Sequence, residues 1–171
     1  YAYNLSHYGV YSGQQPSNAN KTPVPDAVIT PGYPIYLNLF LDEDGPILWS
    51  ELRSSLLVQT LLSSLCVIIV FFIFSPMVGQ WLSLLVALLT ALSPHLITVN
   101  VYLLTESLFA FLMMAWLFTL VSLRNKKATI GVMVLCGALL AAAALTRSWI
   151  QYFIVILVFF IIFSKKMEQR N

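Results

Sequence analysis

Five apolar runs, each close to the length that crosses a bilayer, take up most of the chain after Leu56. They are Leu56–Phe74, bounded by Arg53 and by Ser75-Pro76; Trp81–Val99, interrupted at Ser93-Pro94-His95; and Ser107–Leu123, which ends at the basic cluster Arg124–Lys127. The last two are Ile130–Leu145, rich in Ala and Gly, and Trp149–Phe163, which ends at Lys165-Lys166. A spanning helix needs about 20 apolar residues, within a range of roughly 17–25, so these last two draw on their flanks. The chain is 59% hydrophobic and 9% charged. Soluble domains carry about 25% charged residues, so a soluble fold is excluded. The expected fold is an all-α integral membrane protein, a polytopic bundle of about five transmembrane helices. Cys66 and Cys136 both fall inside apolar runs, where they read as small buried side chains and not as a disulfide or metal pair.

The basic residues orient such a bundle. With five spans, Arg124, Lys126, Lys127, Lys165, Lys166 and Arg170 share one face, which is therefore cytoplasmic. The opposite, external face takes Lys21, Arg53 and Arg147 together with Asp26, Asp42, Glu43, Asp44, Glu51 and Glu106. Residues 1–52 are expected to form an external segment, periplasmic or luminal, and residues 53–171 the helix bundle, in a plasma (inner) membrane rather than the endoplasmic reticulum. Five prolines between Pro16 and Pro34, with Gly9, Gly13 and Gly32, make the early part of that segment loop with turns. The aromatic stretch Tyr33–Leu41 is too short to span and suits a short helix at the membrane interface. The triplets Asn4-Leu-Ser6 and Asn20-Lys-Thr22 carry little weight as glycosylation signals.

Glu106 is the only acidic residue between Glu51 and Glu168. A carboxylate beside hydrocarbon needs a partner, water or a proton, which makes it a candidate functional group; the alternative is a loop residue touching water. Arg147 ends the fourth run on the external face, against the positive-inside bias. It either snorkels to the interface or holds a phosphate, whose oxygens suit its fork of donors. His7 and His95 stand alone, and no phosphate-binding Gly loop, metal cluster or Ser/His/Asp spacing is present. The run Ala141–Ala144 permits close helix packing. No internal repeat relates the runs, which disfavours a repeat-built transporter.

Four segments carry a resemblance. Thr30-Pro-Gly-Tyr-Pro-Ile-Tyr-Leu37 is similar to the Pro-Pro-Gly-Tyr-Pro segment of membrane glycosyltransferases of the GT-C fold, the relatives of dolichyl-phosphate-mannose–protein mannosyltransferase and aminoarabinose transferase. Tyr3–Ser12 resembles the stretch that follows the family's first catalytic acid. Ser93–Phe109 resembles the second external loop, with an acid at the start of the next helix, and Gly137–Arg147 resembles a Gly-rich helix ending in Leu-Thr-Arg. The segments occur in the family's order.

The resemblance implies transfer of a sugar from a polyprenyl-phosphate donor to a lipid, glycan or protein hydroxyl at the external face. Its partners are that donor and the membrane lipids, with no nucleic acid. Such chemistry needs a carboxylate for the acceptor proton, and positive charge from a side chain or a divalent metal ion on the departing phosphate. Glu106 is then the second-loop acid, aiding metal or acceptor positioning; Arg147 faces the phosphate, and Tyr33 shapes the loop over the cavity. The family's main base falls just ahead of Tyr1, so the chain reads as a piece lacking that acid and a first span, and inactive alone. Asp26 and Asp42-Glu43-Asp44 stand in the wrong context to replace the base. The competing expectation is a non-catalytic multi-pass protein, either a degenerate relative or a transporter or complex subunit.

Overall fold

The computed structural model describes residues 1–16, 22–41, 49–123 and 129–168. Asp42-Glu43-Asp44, Arg124–Lys127, Arg170 and, of the second glycosylation triplet, Asn20 and Lys21 fall outside these residues. Among the described residues there are eight helices and no strands: α1 (Ala2–Tyr8), α2 (Gly32–Asn38), α3 (Trp49–Val78), α4 (Gln80–Ala91), α5 (Pro94–Val99), α6 (Thr105–Leu123), α7 (Ile130–Thr146) and α8 (Trp149–Glu168).

Each apolar run becomes helix, and the breaks follow local chemistry. Helix α3 carries through Pro76 to Val78. It then reverses into α4 at Gly79, whose φ of 83° and ψ of 165° only glycine adopts readily. The second run breaks where expected. Ser93 precedes a proline and is held extended (φ −62°, ψ 117°), and Pro94 opens α5, where its missing N–H costs nothing. The aromatic stretch forms α2 as anticipated. The segment expected to be loop instead begins with α1, because Ala2–Tyr8 contains neither Pro nor Gly. Gly9 closes it in the left-handed conformation, donating its N–H to the last-turn carbonyls.

Helix α3 packs against α4 and α6, α6 against α7, and α7 against both α8 and α2, with α1 lying on α2. The surface is inverted relative to a soluble protein. Leu, Ile, Val and Phe side chains of α3, α4, α7 and α8 face outward, whereas the largest fully buried side chains are Gln59, Ser12, Ser55, Ser83 and Ser107. Ala87 and Ala143 are buried at helix contacts, as small residues are in bilayers, where close backbone approach replaces the hydrophobic drive. Leu52–Val78 and Thr105–Leu123 are long and apolar enough to cross a membrane; α4 and α7, at 12 and 17 residues, are shorter. Only 28% and 17% of those two spans are buried, unlike the core helices of a soluble domain. The fold is thus an all-α membrane fold. The expectation of about five spans rests on the runs themselves, since two helices are both long and apolar enough to cross among the described residues.

Cys66 is buried and Cys136 half-buried, and both are free thiols. Asn4 is also buried. Its amide donates to the carbonyls of Ser12 (2.7 Å) and Gln14 (2.8 Å), so this side chain serves the loop's architecture.

Candidate functional site

The start of α6, the end of α7, the start of α8 and the helix α2 meet at one end of the bundle. Glu106 lies in the first turn of α6, where the helix dipole favours a carboxylate. Arg147 follows the last turn of α7 in extended conformation (φ −144°, ψ 125°), where the same field favours a cation. The two side chains form an ion pair, Arg147 Nη2 to Glu106 Oε1 at 3.1 Å, each about one-third exposed. Thr105 Oγ1 donates to the other carboxylate oxygen at 3.3 Å. The guanidinium also sits 5.9 Å from the Phe109 ring centre and 6.0 Å from that of Trp149, within cation–π range.

Arg147 lies between two cavities. An open one of about 650 Å³ is walled by Ala27–Pro31, Tyr33 and Pro34 on one side and by Thr105 and Thr146–Trp149 on the other. A second, of about 290 Å³, is an apolar groove formed by Phe109, Trp149, Ile150 and Phe153, with Arg147 at its edge. A cation that lines a wide cavity while its aromatic neighbours line an apolar groove suits an anionic head on an apolar tail.

The Pro-Gly-Tyr unit is held against this end by three contacts. A Cβ on Gly32 would lie 2.7 Å from the carbonyl carbon and oxygen of Leu145 and 2.9 Å from the Thr146 nitrogen, so α2 touches the backbone of α7 directly. Thr30 Oγ1 donates to the Thr146 carbonyl at 2.9 Å. Tyr33 Oη donates to Gln59 Oε1 at 3.1 Å. Burial raises the Tyr33 phenol above its ordinary pKa, helped by neighbouring Tyr36 and the Glu106 charge, so it stays a proton donor. Tyr36 Oη donates to the Ser55 carbonyl at 2.9 Å, and burial pushes its pKa up to about 12.

Glu106, Arg147 and Tyr33, the three site residues expected from sequence, therefore converge. Asp26 does not join them. Its carboxylate accepts from the Tyr1 hydroxyl, from Ser12 Oγ (3.4 Å) and from the Gly13 N–H (3.0 Å), tying the N-terminal segment together. The hydrogen bond from Tyr1 holds the Asp26 carboxyl below its ordinary value. His95 is exposed in α5. Among the described residues no three His, Cys, Asp or Glu side chains converge as metal ligands. Glu106 is engaged with Arg147, so these residues do not by themselves make a metal site. Sequence reasoning missed Gln59, Thr30, Phe109 and Trp149. Gln59 carried a signal, as the only amide in a stretch with no charge from Ser54 to Gly79.

The site thus sits in a helical membrane protein and centres on an ion-paired arginine that lines both a wide open cavity and an apolar groove. The family model for dolichyl-phosphate-mannose-protein mannosyltransferase matches residues 46–171, and the chain belongs to that family of membrane glycosyltransferases. Two of the resembling segments, Ser93–Phe109 and Gly137–Arg147, lie inside the match; Tyr3–Ser12 and Thr30–Leu37 precede it. Comparison with curated proteins and with solved structures gave no match.

Proposed function

We propose that this chain is part of a GT-C glycosyltransferase core that moves a sugar from a polyprenyl phosphate to a lipid, glycan or protein hydroxyl. The observation that carries this reading is the 3.1 Å Glu106–Arg147 pair, whose arginine lines both a wide open cavity and an apolar groove. The acceptor oxygen attacks the anomeric carbon as the bond from that carbon to the phosphate oxygen breaks, the acceptor proton passes to a carboxylate, and the phosphate leaves with the lipid. Arg147 neutralises the departing phosphate, whose prenyl chain lies in the groove of Phe109, Ile150 and Phe153. Glu106 orients Arg147 and positions the acceptor. The α2 segment with Tyr33 walls the sugar cavity and limits water. Residues 1–52 and Glu106 lie on the external side of the plasma (inner) membrane, with five apolar runs forming the bundle, as the basic residues suggest.

The test supplies a panel of radiolabelled polyprenyl-phosphate sugars to membranes containing the chain joined to an upstream segment that carries the family's first acid and span. Transfer or release of sugar in the wild type, reduced about a hundredfold or more by Glu106→Gln, supports the reading. The ion pair also ties α6 to α7, so a non-catalytic multi-pass protein remains the second reading. It is favoured if no sugar is released from any donor and Glu106→Gln lowers only thermal stability.

A further inference from the structure

Gln59 is fully buried in the first half of α3, and its amide reaches two elements at once. Its oxygen accepts from Tyr33 in α2, 26 residues away in sequence, and its nitrogen donates to the Leu104 carbonyl at 3.1 Å, 45 residues away. The carbonyl can only accept, which fixes the amide orientation and leaves the oxygen to receive the Tyr33 hydroxyl. Leu104 immediately precedes α6, two residues before Glu106. An amide held inside an apolar helix needs both partners, so neither bond is incidental.

These bonds close a ring around the cavity. From α2 it runs through Gln59 to the start of α6, across the Glu106–Arg147 pair to α7, and from the Thr146 carbonyl through Thr30 back to α2. Every other link is a surface-accessible polar contact or involves a partly exposed side chain. Gln59 is the link sealed from water. We infer that Gln59 is a positioning residue, setting the distance between the α2 wall and the first turn of α6 and thereby placing Glu106 against Arg147. This rests on the proposed reading for its consequence in catalysis, and on the hydrogen bonds alone for the tie.

The experiment is hydrogen–deuterium exchange on the purified protein in nanodiscs, comparing wild type with Gln59→Met, Tyr33→Phe and the double variant. Met keeps the volume and removes both bonds. Exchange should rise about fivefold or more in Gly32–Asn38 and Leu104–Leu112, the worth of one net hydrogen bond, and stay unchanged in Cys66–Ile73. Tyr33→Phe should loosen Gly32–Asn38 alone, and the double variant should match Gln59→Met. Undecaprenyl phosphate is then titrated against tryptophan fluorescence, with Trp149→Phe as the blank. Gln59→Met should weaken that response about fivefold, and Tyr33→Phe should add nothing in its background, where independent structural losses would add. Unchanged exchange at Leu104–Leu112 in Gln59→Met overturns the inference, as do additive losses. If Gln59→Met does not fold, Tyr33→Phe decides: faster exchange confined to Gly32–Asn38 supports the tie, and none overturns it. Loosened segments in a protein whose wild type ignores the lipid uphold the tie and count against the glycosyltransferase reading instead.

Discussion

Replacing Gly32 with Ala places one methyl group against the backbone of α7. The new Cβ would stand 2.7 Å from Leu145, about 0.7 Å inside the 3.4 Å at which ordinary contact begins. The obstruction is a helix backbone and not a flexible side-chain tip, so α2 itself must retreat. Overpacking of this kind costs roughly 1–3 kcal/mol. The retreat also stretches the 2.9 Å bond from Thr30 to the Thr146 carbonyl, worth about 1 kcal/mol net. Together these come to about 2–4 kcal/mol. At roughly 2–4 °C per kcal/mol for a chain of this size, Tm should fall by about 4–16 °C. Thermal unfolding in nanodiscs measures it, with Gly137→Ala as control. No atom lies within 4 Å of a Cβ at Gly137, and Ala is the better helix former, so Tm should hold or rise. Equal melting of Gly32→Ala and wild type would refute direct contact between the Pro-Gly-Tyr unit and α7.

Asn100 Oδ1 accepts from both Ser63 (2.8 Å) and Ser107 (2.9 Å), so Asn100→Ala strands two hydroxyls between α3 and α6; unfolding assays should show a loss of about 1–3 kcal/mol. Tyr36 should titrate near 12 instead of 10.0 in ultraviolet difference spectra. Its folded pKa is raised, so the unfolded state loses its proton first. Stability should be intact below about pH 10 and decline as pH rises from 10 to about 12. Asp26 behaves oppositely. Its folded pKa is depressed, so its contribution is present above 3.8 and lost as pH falls below that value, seen as faster hydrogen exchange in Ala2–Tyr8.

The bundle was legible because hydrocarbon imposes a simple rule: backbone polar groups must be satisfied within the helix, so long apolar runs become helices. Each run did, and the Ser93-Pro94 break fell where the residue before proline is driven extended. Helix α1 was hidden because the surrounding prolines suggested loop, while seven residues free of Pro and Gly sufficed for two turns. Glu106 and Arg147 were legible as charges out of place. Their 3.1 Å pairing was not, since it depends on how α6 and α7 align. Gln59 escaped attention because an amide lacks formal charge, and its two partners lie 26 and 45 residues away. Phe109 and Trp149 looked like ordinary membrane aromatics until the guanidinium was placed beside both rings.

The most direct measurement is the affinity of the purified protein for undecaprenyl phosphate, read by tryptophan fluorescence in wild type, Arg147→Ala and Glu106→Gln. Saturable binding is expected in the wild type, weakened about tenfold or more in Arg147→Ala, since charge-assisted contacts to a phosphate are worth about 1.5–3 kcal/mol. Glu106→Gln should bind more weakly than wild type but more tightly than Arg147→Ala, because the guanidinium keeps its charge and loses the 3.1 Å partner that orients it. Absence of binding, or equal affinity in Arg147→Ala, would contradict a phosphate-lipid site at this end of the bundle.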